Sequence, residues 1–317
     1  MKKQNIIEIK KLNVSYKISK TEYVYAVKNI DLNIKKGESV AIVGESGSGK
    51  STFANSLLNL LPVNANINGS IKIQNQEILN KSNNDLMNVR GKVAGIIFQE
   101  PGASLNPVFT VKEQIEETIK AHNKDINKEK LKKQAIYLLK ETGISDVERI
   151  YNSYPHQLSG GQQQRIMIAI ALSCNPSILI ADEPTTALDV TVQLQIINLL
   201  KKLKKSRSLT LILITHDLHL ATFVADRVIV MYAGEIVEDN KIKSIKNSHH
   251  PYTYQLFEVV PDINKEKGDF VLIKGEPPDL KILKNQCYFY ERCFKAKEKC
   301  KNQHPDLIKN IRCFYPL

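Results

Sequence analysis

The chain has 317 residues, 42% of them hydrophobic, and a formal charge of +12. That is enough apolar material for a full core, and no run of about eighteen apolar residues exists to span a membrane. Lysines are spread along the whole chain, which favours a solvated basic surface over a nucleic-acid patch.

The N-terminal Met1-Lys2-Lys3 is charged and no apolar signal stretch follows, so the chain is expected to stay in the cytosol. Residues 6–32 alternate polar and apolar side chains and predict strands of a small antiparallel sheet. Ser39–Val43 is a short apolar run, as in a buried parallel strand. It leads into Gly44-Glu45-Ser46-Gly47-Ser48-Gly49-Lys50-Ser51, which fills the pattern G-x-x-x-x-G-K-[ST] ahead of Thr52. A helix is expected from near Gly49 to Leu61, before Pro62. Between a strand and a helix, such glycines let backbone N–H groups curl round phosphates, and the helix N-terminus adds positive dipole. Lys50 would bridge the β- and γ-phosphates, and the Ser51 hydroxyl would ligate Mg²⁺.

A second strand is predicted at 93–98, ending at Gln99, whose amide would reach both metal and water. Residues of about 101–160 change to charged, helical spacing, with helices at 111–119 and 130–142 and Gly143 as a C-cap. Strand character returns at 177–181 and at Thr210–Thr215, around a helix at 190–204. The first of these strands ends in Asp182-Glu183. Carboxylates there are costly unless they hold a cation or a water. Asp182 would bind Mg²⁺, and Glu183 would be the general base on an attacking water. His216 follows the next strand, where an imidazole can contact the γ-phosphate or position the water. Arg227–Tyr232 and residues 235–238 predict a hairpin around Ala233-Gly234.

Leu158-Ser159-Gly160-Gly161-Gln162 precedes an apolar helix at 166–172. A helix cap accounts for Ser159 but not for two glycines followed by Gln162. As a second glycine-rich anion site that cannot reach the first within one compact domain, it implies a site completed by a second subunit. Cys174 stands alone and is expected to be a buried small hydrophobe. The other four cysteines, Cys287, Cys293, Cys300 and Cys313, are spaced C-x5-C-x6-C-x12-C. In a cytosolic chain that cluster suggests metal before disulfide, though it lacks paired zinc knuckles.

The ordered set Gly44–Ser51, Gln99, Leu158–Gln162, Asp182-Glu183, Ala187-Leu188-Asp189 and His216 resembles the ATP-binding subunit of an ABC transporter, over roughly residues 5 to 240. The resemblance implies a fold: an α/β phosphate-loop NTPase core with an antiparallel β subdomain, a helical subdomain and a small C-terminal extension at 241–317. It also implies that Ser159, Gly160, Gly161 and Gln162 clamp the γ-phosphate of ATP held by a partner subunit. Asp189 would lie in the loop coupling the two sites. Tyr16, with Tyr23 second, would stack on adenine.

Tyr154-Pro155-His156-Gln157, Phe98-Gln99-Glu100-Pro101, His250-Pro251-Tyr252-Thr253 and Gly275-Glu276-Pro277-Pro278 are similar to the peptide/nickel importer subfamily. Members carry a 4Fe–4S cluster at positions matching the four cysteines. Phe294 after Cys293, and Tyr290 before Glu291-Arg292, stand where that subfamily commonly has proline. The cluster, zinc and no metal all remain open. The implied cargo is peptide, with nickel or another metal chelate as the alternative. The implied partners are two transmembrane permease subunits, a second ABC ATPase subunit and, indirectly, an extracytoplasmic binding protein, with no nucleic acid. The place would be the cytoplasmic face of the membrane. Soluble ABC ATPases acting on DNA or ribosomes are the rival class; the former need a long coiled coil between the two halves, and no sustained heptad lies between Gln99 and the pentapeptide.

Overall fold

The computed structural model describes residues 4–186, 188–258, 273–282 and 284–317. They fall into two compact units, Met1–Leu79 with Thr215–Leu317, and Asn80–Ile214. Ala187, part of the motif at 187–189, lies outside the described residues, as do 259–272 of the C-terminal segment.

The first unit begins with β1 (Asn5–Lys17), β2 (Tyr23–Lys35), β3 (Ser39–Val43), α1 (Lys50–Leu57), β4 (Ala65–Ile73) and β5 (Gln76–Glu77). The expected antiparallel sheet forms in the order β2-β1-β4-β5. Ile7, Ile9, Leu12 and Val14 of β1 are buried against Val27, Ile30, Leu32 and Ile34 of β2. The alternation is interrupted where Lys11 and Asn29 take φ of 47° and 44°, and the pairing register shifts between Ile9 and Leu12. α1 stops at Leu57, four residues short of the expected Leu61. Asn59 turns left-handed (φ 51°) and the Leu60 N–H returns to the Asn55 carbonyl. That closes the helix before Pro62 is reached.

The second unit holds α2 (Asn83–Met87), β6 (Ala94–Ile97), α3 (Pro101–Ser104), α4 (Val111–His122), α5 (Lys128–Glu141), α6 (Val147–Tyr151), α7 (Gly160–Leu172), β7 (Ile178–Asp182), α8 (Val190–Arg207) and β8 (Thr210–Thr215). β6, β7 and β8 are parallel neighbours, and every residue of β7 and β8 is buried. Strands covered on both faces have no polar side to alternate with. The expected helical insertion is present as α3 to α6. Thr110 and Glu113 form a capping box at the start of α4, and Val111, Ile115 and Ile119 recur on its buried face. Cys174 is half-buried rather than buried, its Sγ directed at the Thr118 carbonyl.

The chain then completes the first unit with α9 (Leu218–Val224), β9 (Arg227–Tyr232), β10 (Glu235–Lys241), α10 (Pro251–Glu258) and α11 (Glu298–Asn302). β9 lies parallel to β3 and antiparallel to β10, across a turn in which Ala233 and Gly234 both have positive φ, as a two-residue hairpin requires. The basic C-terminal segment is fastened along β10. Ile311 bridges Glu238, and the Arg312 N–H donates to the Val237 carbonyl at 2.8 Å. Tyr232, Tyr252 and Phe289 pack together in tilted and edge-to-face contacts, with centroids 4.6 to 5.3 Å apart. No helix among the described residues is long and apolar enough to cross a membrane.

Candidate nucleotide-binding site

In the first unit, β3 delivers the phosphate loop directly into α1. Gly49 has φ of 97°, and a Cβ there would sit 2.1 Å from the Ala26 carbonyl oxygen. Only glycine fits that approach. Lys50 is buried at the first turn, and its Nζ donates to the carbonyls of Gly44 at 2.9 Å and Glu45 at 2.8 Å. Gly44 and Ser48 are buried, Ser46 and Gly47 exposed, and Ser51 half-buried. The Tyr16 hydroxyl is 3.0 Å from Thr52 Oγ1, which fixes the ring beside the start of α1. Tyr23, by contrast, lines a separate hollow with Ser15, Tyr25 and residues 65–68. His216 follows β8 and is exposed.

Sequence reasoning missed how the loop is braced. The Glu45 N–H donates to the Tyr252 hydroxyl at 2.8 Å, and the Glu45 carboxylate is forked by Arg292. The Gly234 N–H donates to the Ser48 carbonyl at 3.0 Å, so the β9–β10 turn also holds the loop. The motif His250-Pro251-Tyr252-Thr253 was visible in the sequence; its contact with a residue 207 positions away was not.

In the second unit, β7 ends at buried Asp182. Glu183 then takes φ of 45°, a left-handed conformation uncommon for a non-glycine residue and typical of functional sites. Its Oε2 accepts from Gln99 Nε2 at 3.2 Å and from Thr186 Oγ1 at 2.9 Å. The structure therefore brings Gln99 and Glu183 together and adds Thr186, which carried no sequence signal. Asp189 is the N-cap of α8, accepting from the Val192 N–H at 2.9 Å.

The pentapeptide differs from expectation in one respect. α7 starts at Gly160, six residues before the expected 166, with Ser159 as its N-cap. Ser159 Oγ accepts from the Gln162 N–H at 3.3 Å, and Gln162 Oε1 accepts from the Ser159 N–H at 3.0 Å. This capping box explains Gln162, which a cap was not expected to do. A Cβ on Gly161 would sit 3.0 Å from Val192 Cγ1, so close packing accounts for part of the second glycine.

Cys287, Cys293, Cys300 and Cys313 line one pocket of the first unit, with His250, Phe289, Phe314 and Tyr315. None is in a disulfide. Burial pushes the Cys287 thiol up to about 12 and raises Cys293 and Cys313 as well. Three sulfurs accept an N–H from the residue two positions on: Cys287 from Phe289, Cys293 from Lys295, and Cys313 from Tyr315. Among the described residues, no group of three or more His, Cys, Asp or Glu is arranged to hold a metal ion, so the metal suggested by the cysteine spacing has no support in the arrangement of its ligands. Burial also drives the His250 imidazole down to about 4, so it is a neutral element of the pocket wall.

Residues 27–186 match the family described as ABC transporter, and residues 236–300 match the C-terminal region of oligopeptide/dipeptide transporters. The chain is 44% identical to the oligopeptide transport ATP-binding protein AppD of Bacillus subtilis, over 98% of this chain and 96% of that protein. It is 41% identical to the dipeptide transport ATP-binding protein DppD of Lactococcus lactis, over 88% and 80% respectively. Among solved structures it resembles a dimeric ATP-binding cassette in a post-hydrolysis state bound to ADP and Pi (TM-score 0.67, 37% identity), over 74% of this chain and 98% of that one. It also resembles cbiO1 from Clostridium perfringens, part of the ABC transporter complex cbiONQ (TM-score 0.64, 32% identity), over 77% and 91%.

Proposed function

We propose a function from one premise: this chain belongs to the ABC transporter family, with the C-terminal region of its oligopeptide/dipeptide members. It is the ATP-hydrolysing subunit that powers import of peptides across the cytoplasmic membrane. The observation carrying this reading is near-full-length identity of 44% to an oligopeptide transport ATP-binding protein, extending through the C-terminal region.

The residues divide the work as follows. The backbone N–H groups of 44–49 receive the phosphates, and Lys50 neutralises β- and γ-phosphate charge. Ser51, Asp182 and Gln99 would hold Mg²⁺, which when bound screens the charge of the triphosphate. Glu183 takes a proton from the attacking water, held in orientation by Gln99 and Thr186. His216 contacts the γ-phosphate, and Tyr16 stacks on adenine. Ser159 to Gln162 reach the nucleotide of a second ATPase subunit, identical or paralogous, while Asp189 and its loop couple the two sites. A neighbouring fold solved as a dimer supports that arrangement.

Two permease subunits would form the channel, an extracytoplasmic protein would deliver the cargo, and this chain would sit at the cytoplasmic face. The nucleotide-binding domain spans 1–240, with its helical subdomain at about 101–160, and the extension spans 241–317.

The four cysteines would hold a 4Fe–4S cluster. Its support is the convergence of four thiols on one pocket and the N–H donors aimed at three sulfurs. When bound, the cluster would supply a cross-link between the segments carrying the four thiols. Anaerobic purification with iron and sulfide analysis tests this; a chain carrying stoichiometric zinc, or no iron, sinks it.

The transport reading is tested in proteoliposomes holding the chain with its permease and partner ATPase. ATP-dependent uptake of labelled peptide is the expected result. Uptake of a nickel chelate without peptide uptake, or copurification with DNA or ribosomes in place of permease subunits, overturns it.

A further inference from the structure

The second residue of the phosphate loop is gripped twice from outside the loop. Arg292 Nη1 donates to Glu45 Oε2 at 2.7 Å, and Nη2 donates to Glu45 Oε1 at 2.9 Å. Nη1 also donates to the Tyr232 hydroxyl at 3.1 Å, and Nε to the Lys274 carbonyl at 3.1 Å. The Arg292 side chain is only 5% exposed. Glu45 is half-buried, and a bidentate guanidinium–carboxylate pair is among the stronger and more directional contacts a protein makes. On the main-chain side, the Glu45 N–H donates to the Tyr252 hydroxyl, and the Glu45 carbonyl accepts from Lys50 Nζ. Tyr252 and Arg292 both come from the C-terminal segment, and Arg292 directly precedes Cys293.

Two physical consequences follow. A loop of glycines and serines loses much conformational freedom when it closes on a ligand, and a loop already held in place loses less. The Glu45 carboxylate would also repel an incoming triphosphate, and Arg292 cancels that charge.

We infer that Arg292 is a positioning residue for the phosphate loop, and that through Glu45 the C-terminal segment sets the chain's affinity for nucleotide. This rests on the proposed reading of residues 44–51 as the ATP site.

The test measures binding of a fluorescent ATP analogue to the full chain, alongside thermal unfolding. Arg292→Ala weakens binding about tenfold, the equivalent of about 1.4 kcal/mol. Arg292→Lys, which keeps the charge but not the fork, falls between that variant and wild type. In the assembled transporter the loss appears in the KM for ATP, with kcat little changed; a merely structural lesion would lower the unfolding temperature without this split. The double variant Glu45→Gln/Arg292→Ala binds no more weakly than Arg292→Ala alone, because the two side chains act as one unit.

Lys50→Ala serves as the reference. If Lys50→Ala loses binding while Arg292→Ala binds like wild type, the positioning role is overturned and the ATP site stands. Losses that multiply in the double variant also overturn it. If Lys50→Ala itself binds like wild type, the ATP-site reading fails and takes this inference with it. Should Arg292→Ala not fold, Glu45→Gln probes the same pair from the other side, and wild-type affinity in that variant overturns the proposal.

Discussion

Gln99 donates its side-chain N–H to the Glu183 carboxylate, Nε2 to Oε2 at 3.2 Å, and Thr186 Oγ1 donates to the same oxygen at 2.9 Å. The oxygen is thereby oriented while Glu183 itself is held at a positive φ. A carboxylate fixed by two donors suits a base that must meet one water in one direction. Glu183→Gln is expected to bind ATP with unchanged affinity, to lose hydrolysis by about a hundredfold or more, and to accumulate as an ATP-bound dimer in size-exclusion chromatography. Turnover at the wild-type rate would refute the base assignment. Gln99→Ala should lower kcat by at least roughly tenfold, since it removes one orienting hydrogen bond and a proposed Mg²⁺ ligand.

Ser159 has two roles that one substitution separates. It caps α7 through the box with Gln162, and it is proposed to meet a partner's γ-phosphate. Ser159→Asp keeps an N-cap acceptor but places a negative charge where the phosphate arrives. It should unfold at the wild-type temperature while ATP-driven dimerisation is lost. Ser159→Ala removes the cap and should cost about 1 kcal/mol of stability. Normal dimerisation of the Asp variant would reduce the pentapeptide to a helix cap.

The fold was legible wherever the signal is local. β3, β7 and β8 are each built on a run of four apolar residues, and the phosphate loop is a contiguous pattern between a strand and a helix. The failures are of two kinds. Helix ends were misplaced because short polar side chains and one left-handed asparagine decide them: α1 closes at Asn59, and α7 opens at the Ser159–Gln162 box. The bracing of the loop was invisible because Glu45 meets Arg292 across 247 residues and Tyr252 across 207. No periodicity reports a pair so far apart. Gln99 is legible as a residue just past a strand, whereas Thr186 depends on a backbone turn that begins only with the unusual φ of Glu183.

Tyr16 offers a clean separation of ring from hydroxyl. Its hydroxyl meets Thr52 Oγ1 at 3.0 Å, and its ring is the proposed adenine platform. Tyr16→Phe keeps the ring and should bind ATP within about twofold of wild type. Tyr16→Ala should lose about 1–3 kcal/mol of binding, the usual worth of an aromatic ring stacked on a base. Titration of both variants with a fluorescent nucleotide decides the matter. Equal losses in Phe and Ala would assign Tyr16 to the Thr52 contact alone, and Tyr23→Ala would then be the next variant to measure.

Lys28 is a buried cation without a hydrogen-bond partner on Nζ, suspended 3.7 Å over the Tyr288 ring. Burial lowers its pKa from 10.5 to about 8, against the attraction of Glu235 and with the Arg312 charge adding to the depression. Because the folded value is the lower one, the unfolded chain binds the extra proton between pH 8 and 10.5. Folding stability therefore rises with pH through that window, and below pH 8 the charged form carries its full penalty. The depression amounts to roughly 3 kcal/mol against the ammonium, net of the attraction of Glu235. Lys28→Met fills the same space without the charge and should be more stable than wild type by about 1–2 kcal/mol at pH 7. Tyr288 titrates alike in the two unfolded chains, so the difference isolates Lys28. Urea unfolding of both proteins at pH 7 and pH 10 is the measurement, and the wild-type chain should gain on the variant as the pH rises from 8 toward 10.5. A Met variant less stable at pH 7 would mean that Tyr288 and Glu235 together outweigh the burial of the ammonium.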